Sequence, residues 1–157
     1  MSSGKILLQG QELPCPPYKS SSVKVGFCLS TNAFWEDLSI CQHLEIYARI
    51  KGVPSSFIQE AVEEIISSLD LNQYTEIPVK DIKEEAVRRK LSVGLAVLGA
   101  PDLLLLDEPT KGMDPAGRDQ VWKILKDLVS RESTILMATN QMEDAELKAD
   151  RTGNNEI

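Results

Sequence analysis

Apolar residues recur along this chain with two spacings, and these predict its secondary structure. Repeats every third or fourth residue predict helices near residues 40–48, 57–69, 84–98, after Pro115 and over 142–149. The helix after Pro115 is expected to turn Val121, Trp122, Leu125, Leu128 and Val129 inward. Ser56 and Gln59 have the spacing of a capping box at the start of the second helix.

Short apolar runs predict strands at residues 6–8, 23–27, 103–106 and 133–138. In the second run, Val23, Val25 and Phe27 alternate with polar or small residues, which is the pattern of a half-buried strand. The order strand, helix, strand, helix in the second half predicts a parallel α/β layer with right-handed connections. Residues 72–80 form a polar linker, and the polar tail 152–157 is expected to fray.

Composition indicates one globular domain and argues against a nucleic-acid-binding or membrane-spanning protein. The 157 residues can bury one core, and 42% hydrophobic with 26% charged residues are ordinary for a globular domain. A net charge of −7 argues against a nucleic-acid-binding surface. No apolar run approaches the roughly 20 residues of a membrane span, so membrane contact is expected only through partner segments.

The cysteines and the histidine offer little chemistry. Cys15, Cys28 and Cys41 have no metal-binding spacing and are typical of thiols in a reducing cytosol. His43 is the only histidine, and we expect it to pack rather than to catalyse, since zinc would lack a ligand set.

The most informative chemistry follows the apolar run 103–106, where Asp107 and Glu108 stand side by side. A strand followed by Asp is how P-loop nucleotide hydrolases hold Mg²⁺ beside a triphosphate. A second carboxylate can orient the attacking water or take its proton. The alternative is a buried strand that ends in a solvated acidic turn, and residues 109–115 make that alternative improbable.

Residues 106–115, Leu-Asp-Glu-Pro-Thr-Lys-Gly-Met-Asp-Pro, resemble the Walker B strand and D-loop of an ATP-binding cassette (ABC) ATPase. Further similar stretches are the hairpin after the Walker A helix (4–13), the Q-loop strand (25–28), the first helix of the helical subdomain (45–53), the helix after the signature (89–96) and the switch region with its helix (139–146 and 149–151). The Q-loop-strand cysteine, Tyr-Ala-Arg and Arg-Lys-Leu-Ser are typical of subfamily A, whose members mostly export lipids.

This resemblance implies an α/β fold, a partial P-loop NTPase parallel sheet with an inserted helical subdomain near residues 36–98 of a single partial domain, 1–157. It implies ATP and Mg²⁺ as cofactors, Glu108 as the catalytic residue that activates water, and Asp107 as the residue that holds Mg²⁺ through water. Asp114 would communicate across a cassette dimer. Ser30 takes the position of the Q-loop glutamine and Asn140 that of the switch histidine.

Several family features are missing from this sequence. No Gly-x-x-x-x-Gly-Lys-Ser/Thr occurs, so the backbone cradle for the β- and γ-phosphates is absent. We therefore expect an internal piece of a cassette, which starts after the Walker A helix, lacks the closing strands, and binds ATP weakly or not at all when isolated.

The family's signature serine and two glycines correspond to Glu84, Glu85 and Ala86. Two carboxylates there would repel a polyphosphate. The alternative is a helix that caps itself, because Asp81 and Glu84 have capping-box-like spacing. We favour self-capping.

The functional prediction is part of a nucleotide-binding domain whose complete form couples ATP hydrolysis to lipid transport. Its partners would be transmembrane domains and a second cassette, at the cytoplasmic face of a membrane; the chain alone would be cytoplasmic and inactive as an ATPase. The alternative is a non-catalytic module that docks on a cassette or coupling helix, which Ser30, Asn140 and residues 84–86 favour. A chromosome-maintenance ATPase would show long heptad stretches, and none occurs.

Overall fold

The computed structural model describes residues 6–8, 11–13 and 23–141 of the chain. Its strands and helices, in chain order, are β1 (Ile6–Leu8), β2 (Gln11–Leu13), β3 (Val25–Cys28), α1 (Ile40–Ile50), α2 (Ile58–Ser68), α3 (Glu85–Val97), β4 (Leu103–Asp107), α4 (Pro115–Ser130) and β5 (Thr134–Ala138). Each strand and helix predicted within these residues is present, with ends that differ by a few positions. The helix predicted over 142–149 and the tail lie outside the described residues.

The parallel layer predicted for the second half of the chain is present as β4, α4 and β5, and β3 from the first half joins its sheet. Its strand order is β3-β4-β5, and both pairs of neighbours run parallel. Phe27 pairs with Leu105, which pairs with Leu136, so one row of side chains crosses all three strands. β1 and β2 pair separately as an antiparallel hairpin. The carboxyl ends of β3, β4 and β5 therefore meet at one edge.

The buried face of β3 is the opposite of the one that hydrophobicity favours. A half-buried strand normally turns its larger apolar side chains inward, but Phe27 is 58% exposed whereas Gly26 and Cys28 are buried. The cause is the close approach of α3. A Cβ atom on Gly26 would stand 2.3 Å from the carbonyl oxygen of Ala96, so only glycine fits beneath this helix.

Helices α3 and α4 cover one face of the sheet, on the side of Gly26, Leu104 and Ile135. The row Phe27, Leu105 and Leu136 lies on the other face. Nothing in the part of the chain that the structure describes covers Phe27 or Leu136, since Leu136 is 67% exposed. Parallel sheets are normally covered on both faces, whereas the described residues leave one apolar face of this sheet open.

Helices α1 and α2 pack together and contribute Leu44, Ala48 and Val62 to the core. The predicted capping box at Ser56 and Gln59 is wrong, because Ser56 lies in a 3-10 turn and α2 has no side-chain cap. A capping box stands instead at α1. There Ser39 Oγ accepts from Gln42 N–H while the Gln42 side chain accepts from Ser39 N–H.

Helix α4 begins with Asp114, whose carboxylate accepts a hydrogen bond from Gly117 N–H at 3.0 Å. Four of the five residues predicted to face inward are buried. Val129 is exposed, so that part of the prediction is wrong. Across the ranges the structure describes, no helix is long and apolar enough to cross a membrane.

Candidate functional site at the carboxyl edge of the sheet

The fold brings four of the five predicted site residues to one edge of the sheet. Ser30 follows β3, Asp107 ends β4 with Glu108 directly after it, and Asn140 follows β5. Ligands of open parallel sheets bind at this edge, outside the carboxyl ends of the strands. Topology alone therefore gathers side chains that are up to 110 positions apart in the sequence.

Arg89 organises this edge from within. It lies on α3, its side chain is buried with 2% exposure, and it donates to backbone carbonyls at and just after the carboxyl ends of β3 and β4. Nη1 donates to the carbonyl of Leu29, Nη2 to that of Asp107, and Nε to that of Glu108 at 2.9 Å. One guanidinium thus fixes the backbone that carries Ser30 and the two carboxylates.

Glu108 has a constrained position. Its backbone lies in the left-handed region, with φ of 49°, which non-glycine residues adopt at a cost. Its N–H donates to the carbonyl of Ala138 at 2.8 Å, and its Oε1 accepts from Asn140 N–H at 2.7 Å. The candidate general base therefore contacts the residue at the switch position through the latter's backbone, not through the Asn140 side chain.

Asp107 and Asp114 have different surroundings. Asp107 is exposed at the strand end, where its carboxylate is open to a cation or water. Asp114 lies at the start of α4, and its carboxylate caps that helix. The structure thus gives Asp114 a local structural task, in addition to the family role that the resemblance implies.

The start of α3 corrects the expectation of a self-capped helix. Its N-cap is Glu84, and no side chain caps it; Asp81 belongs to the preceding 3-10 turn. Glu is a poor N-cap, since Ser, Thr, Asp and Asn have the short side chains that the bond requires. The carboxylate of Glu85 instead accepts from the Asn32 side chain, Nδ2 to Oε1 at 2.8 Å.

Asn32 connects this helix start to the buried arginine. Its Oδ1 accepts from Ser92 Oγ at 2.8 Å and from Arg89 Nη1 at 3.4 Å, while its Nδ2 serves Glu85. Sequence reasoning missed both Asn32 and Arg89 as site residues. The available signal was a cation within the apolar stretch of α3, since a buried arginine must find acceptors.

The residues at this edge suit only part of a Mg-ATP site. Asp107 supplies one open carboxylate and Ser30 one hydroxyl, but Mg²⁺ bound this way also needs the oxygens of a bound phosphate. Among the described residues, no group of three or more His, Cys, Asp or Glu side chains could hold a metal. The described chain also presents no glycine-rich phosphate cradle. We therefore derive no reaction step through ATP for this chain alone.

The thiol at this edge is inert. Cys28 is buried beside Arg89, and burial raises the pKa of its thiol above the usual value, against the lowering effect of the nearby guanidinium. A thiol with a raised pKa holds its proton at neutral pH, so Cys28 acts as a small apolar side chain.

Comparisons with known proteins agree with this geometry. The family model described as ABC transporter matches residues 1–111. Human ATP-binding cassette sub-family A member 10 is 36% identical over 152 residues, which is 96% of this chain and 10% of that protein. The mouse ABC-type organic anion transporter ABCA8A is 38% identical over 151 residues, 96% of this chain and 9% of the relative.

The rat cholesterol transporter ABCA5 is 34% identical over 151 residues, again 96% of this chain and 9% of the relative. This chain thus spans about a tenth of the length of the curated relatives it matches. A solved structure, titled as the ATP binding subunit of an ABC transporter, superposes with a TM-score of 0.82 at 20% identity, over 94% of this chain and 61% of that one. By the family match, these relatives and the shared fold, the chain belongs to the ABC transporter family, in subfamily A.

Proposed function

We propose that this chain is part of the nucleotide-binding domain of a subfamily A transporter, whose complete form couples ATP hydrolysis to lipid transport across a membrane. The observation that carries the proposal is the carboxylate pair Asp107 and Glu108 at the carboxyl edge of the sheet, beside Ser30 and Asn140. Arg89 holds the backbone of this edge from beneath. In the complete domain, Asp107 would hold Mg²⁺ through water and Glu108 would activate the attacking water.

The proposed substrate class comes from the resemblance to subfamily A and from the names of relatives. One relative is named a cholesterol transporter and another an organic anion transporter. Cholesterol is a lipid, and lipid is the class that the subfamily resemblance favours. The family membership implies transmembrane domains and a second cassette as partners.

The alternative is a non-catalytic interaction module derived from a cassette. Its support is the set of altered positions. Glu85 is bonded to Asn32 rather than open to a phosphate, and serine and asparagine replace the Q-loop glutamine and the switch histidine. An asparagine can donate a hydrogen bond but cannot carry the positive charge of a protonated histidine.

The first prediction concerns Mg-ATP binding by this chain, on which the two proposals agree. We expect the chain by itself to bind Mg-ATP poorly, because a phosphate loop normally supplies most contacts to the triphosphate. Isothermal titration with Mg-ATP at high protein concentration measures this, with Asp107→Asn as the matched variant. Micromolar binding that Asp107→Asn weakens would show a phosphate site that the sequence motif does not reveal.

A longer chain that carries a phosphate loop in frame tests the transporter proposal itself. ATPase activity stimulated by lipid would support a working cassette. A longer chain that binds Mg-ATP but never hydrolyses it would favour the non-catalytic module.

A further inference from the structure

His43 lies outside the candidate site and is the only histidine of the chain. Its ring is fully buried at the start of α1, and both ring nitrogens have partners. Nδ1 stands 2.8 Å from the carbonyl oxygen of Ser39, and Nε2 stands 3.1 Å from the backbone nitrogen of Trp35. A buried imidazole must find partners for its polar nitrogens, and here one of them is the backbone N–H of Trp35, in the loop before α1.

The two partners fix the protonation state of the ring. The Ser39 carbonyl can only accept, so Nδ1 must carry a hydrogen. The backbone N–H of Trp35 can only donate, so Nε2 must be unprotonated and accept. Neutral imidazole with its hydrogen on Nδ1 satisfies both partners, whereas the imidazolium has two donors and would face the Trp35 N–H with another N–H.

Aromatic rings surround His43 on the side of the loop between β3 and α1. The indole of Trp35 lies over the imidazole at 5.8 Å between centroids with 29° between planes, and Phe34 meets it edge-on at 5.6 Å. Tyr47, one turn further along α1, lies 5.8 Å from the indole. Trp35 itself is 50% exposed, and besides these ring contacts and the bond to Nε2 its backbone carbonyl accepts from Leu38 N–H at 3.0 Å.

Trp35 forms one wall of an open cleft of about 430 Å³, whose other lining residues are Glu36, Asp37, Leu38 and Ile46. The rest of this loop is held independently of His43. Val79 N–H donates to the Leu38 carbonyl and Lys80 N–H to the Glu36 carbonyl, both at 3.0 Å. A change at His43 would therefore act on Trp35 and leave the cleft floor in place.

The charged groups around the ring balance one another. Glu36 is the carboxylate whose charge reaches His43, and it pairs with Arg88 at 2.9 Å. Arg88, on α3, also lies 5.7 Å from the Phe34 ring. Asp37 pairs with Lys80 at 2.7 Å on the outer side of the loop. Burial lowers the pKa of His43 below its usual value of about 6.5, while the Ser39 carbonyl and Glu36 act in the opposite direction.

We propose that neutral His43 holds Trp35 against α1 and that protonation of His43 releases Trp35. The wall of the cleft that Trp35 forms would then change its position in mildly acidic conditions. Trp35 is released because protonation of Nε2 removes the acceptor of the Trp35 backbone N–H. It also places two N–H donors, that of Trp35 and that of the imidazolium, against each other. The contribution of the neutral ring to stability is complete above about pH 6.5 and is lost as the pH falls through the lower pKa of the folded state. This inference does not depend on the proposed function.

The test uses the chain as it is, labelled with fluorotryptophan. The sequence has two tryptophans, and Trp122, buried on the inner face of α4, reports on the rest of the fold. We expect the fluorine resonance of Trp35, assigned from Trp35→Phe, to move along a one-proton curve with a midpoint below about pH 6.5. The ring signals of the single histidine should give the same midpoint, and the Trp122 resonance should stay still through the transition.

Two variants sharpen the result. His43→Gln keeps an oxygen that can accept from Trp35 N–H but does not titrate, so the Trp35 resonance should hold its neutral-state position across the range. Glu36→Gln removes the charge that supports protonation, so the midpoint should fall further. If His43→Gln does not fold, the matched titration of His43 and Trp35 in the unaltered chain still decides.

Three results would overturn the proposal. A His43 midpoint at or above about pH 6.5 would mean that the ring is not held neutral by its partners. A Trp35 resonance that does not follow the histidine would mean that the bond to Nε2 does not position the indole. Movement of Trp122 together with Trp35 would show acid unfolding of the whole domain.

Discussion

At the scale of single residues, this cassette is organised by a buried cation whose donors serve main-chain carbonyls. None of the described ion pairs involves Arg89. Its three backbone acceptors belong to Leu29, Asp107 and Glu108, at the carboxyl ends of two strands, and they lie close together only because β3 and β4 are neighbours. The positions of the candidate catalytic carboxylates therefore rest on a residue that touches neither carboxylate.

The second prediction is that Arg89→Met destabilises the fold far more than Arg88→Met. Without the guanidinium, three partly buried backbone carbonyls lose a donor, and each group left unsatisfied costs up to about 1–3 kcal/mol. Arg88 makes a partly exposed ion pair with Glu36, which is worth about 0–1 kcal/mol. Urea denaturation of both variants measures the difference. Equal losses would mean that water replaces the guanidinium at no cost.

The third prediction concerns Glu108 in a longer chain that supplies a phosphate loop. Glu108→Gln should reduce hydrolysis by about 10²–10⁴-fold and leave ATP binding intact, because the amide cannot accept the proton of the attacking water. The amide oxygen can still accept from Asn140 N–H, so the loop should keep its conformation. Steady-state ATPase rates decide this, with Glu60→Gln on the exposed side of α2 as the control. Equal rates for Glu108→Gln and wild type would make this cassette a structural partner.

Sequence reasoning reached the carboxylates but not what holds them. Asp107 and Glu108 follow their strand directly, so a local pattern locates them. The bond from Arg89 to Leu29 spans 60 positions and the bond to Asp107 spans 18, and no periodicity records such contacts. Carbonyl acceptors, moreover, belong to every residue type. A buried arginine can thus be anticipated from sequence, whereas its partners cannot.

At the scale of elements, spacing predicted where helices and strands lie better than it predicted their faces and ends. The strand at 25–28 is present, but its buried face depends on Gly26 and the approach of α3, which is tertiary information. The capping box fell at Ser39 rather than Ser56, because a 3-10 turn intervenes before α2. Short motifs of this kind occur by chance, and only the packed chain selects among them.

A second, partly buried cation contacts the end of α3. Lys51, just after α1, donates from Nζ to the carbonyls of Leu95 and Ala96 at 2.6 and 2.8 Å. Burial lowers the pKa of Lys51 to about 8, although the two carbonyls favour the charged amine. The last turn of α3 is thus capped from outside its own sequence, where α3 passes over Gly26.

The fourth prediction follows from this lowered pKa. Between about pH 8 and 10.5 the unfolded chain keeps the proton that the folded chain releases, so the contribution of Lys51 to stability rises with pH in that window. The free energy of unfolding of wild type minus that of Lys51→Met should therefore increase from pH 8 to pH 10. Comparing the two proteins cancels Cys28 and Cys41, whose raised thiol pKa values act in the opposite direction. The exposed-lysine control, Lys126→Met, should show a constant difference in urea denaturation, and a constant difference for Lys51→Met would contradict the prediction.

At the scale of the whole molecule, helices cover only one face of the described sheet. α3 and α4 cover the face of Gly26, Leu104 and Ile135, while Phe27, Leu105 and Leu136 form an apolar row on the other face. β3 and β5 are the outer strands of the parallel sheet as described. Open apolar faces and unpaired strand edges are sites of association in soluble proteins.

The last prediction is that the chain self-associates through this face. Phe27→Lys combined with Leu136→Lys should shift sedimentation toward the monomer, because two charges in one row of side chains repel a facing apolar surface. Both side chains are more than half exposed, so the substitutions should cost the folded monomer little. Ile50→Lys, an equally exposed apolar position on α1, is the matched control and should leave association unchanged. A wild-type chain that stays monomeric and melts cooperatively at high concentration would contradict the prediction. It would mean that the monomer is stable without association through the row of Phe27, Leu105 and Leu136. That result would favour an evolved module over a cassette that depends on a partner to close its sheet.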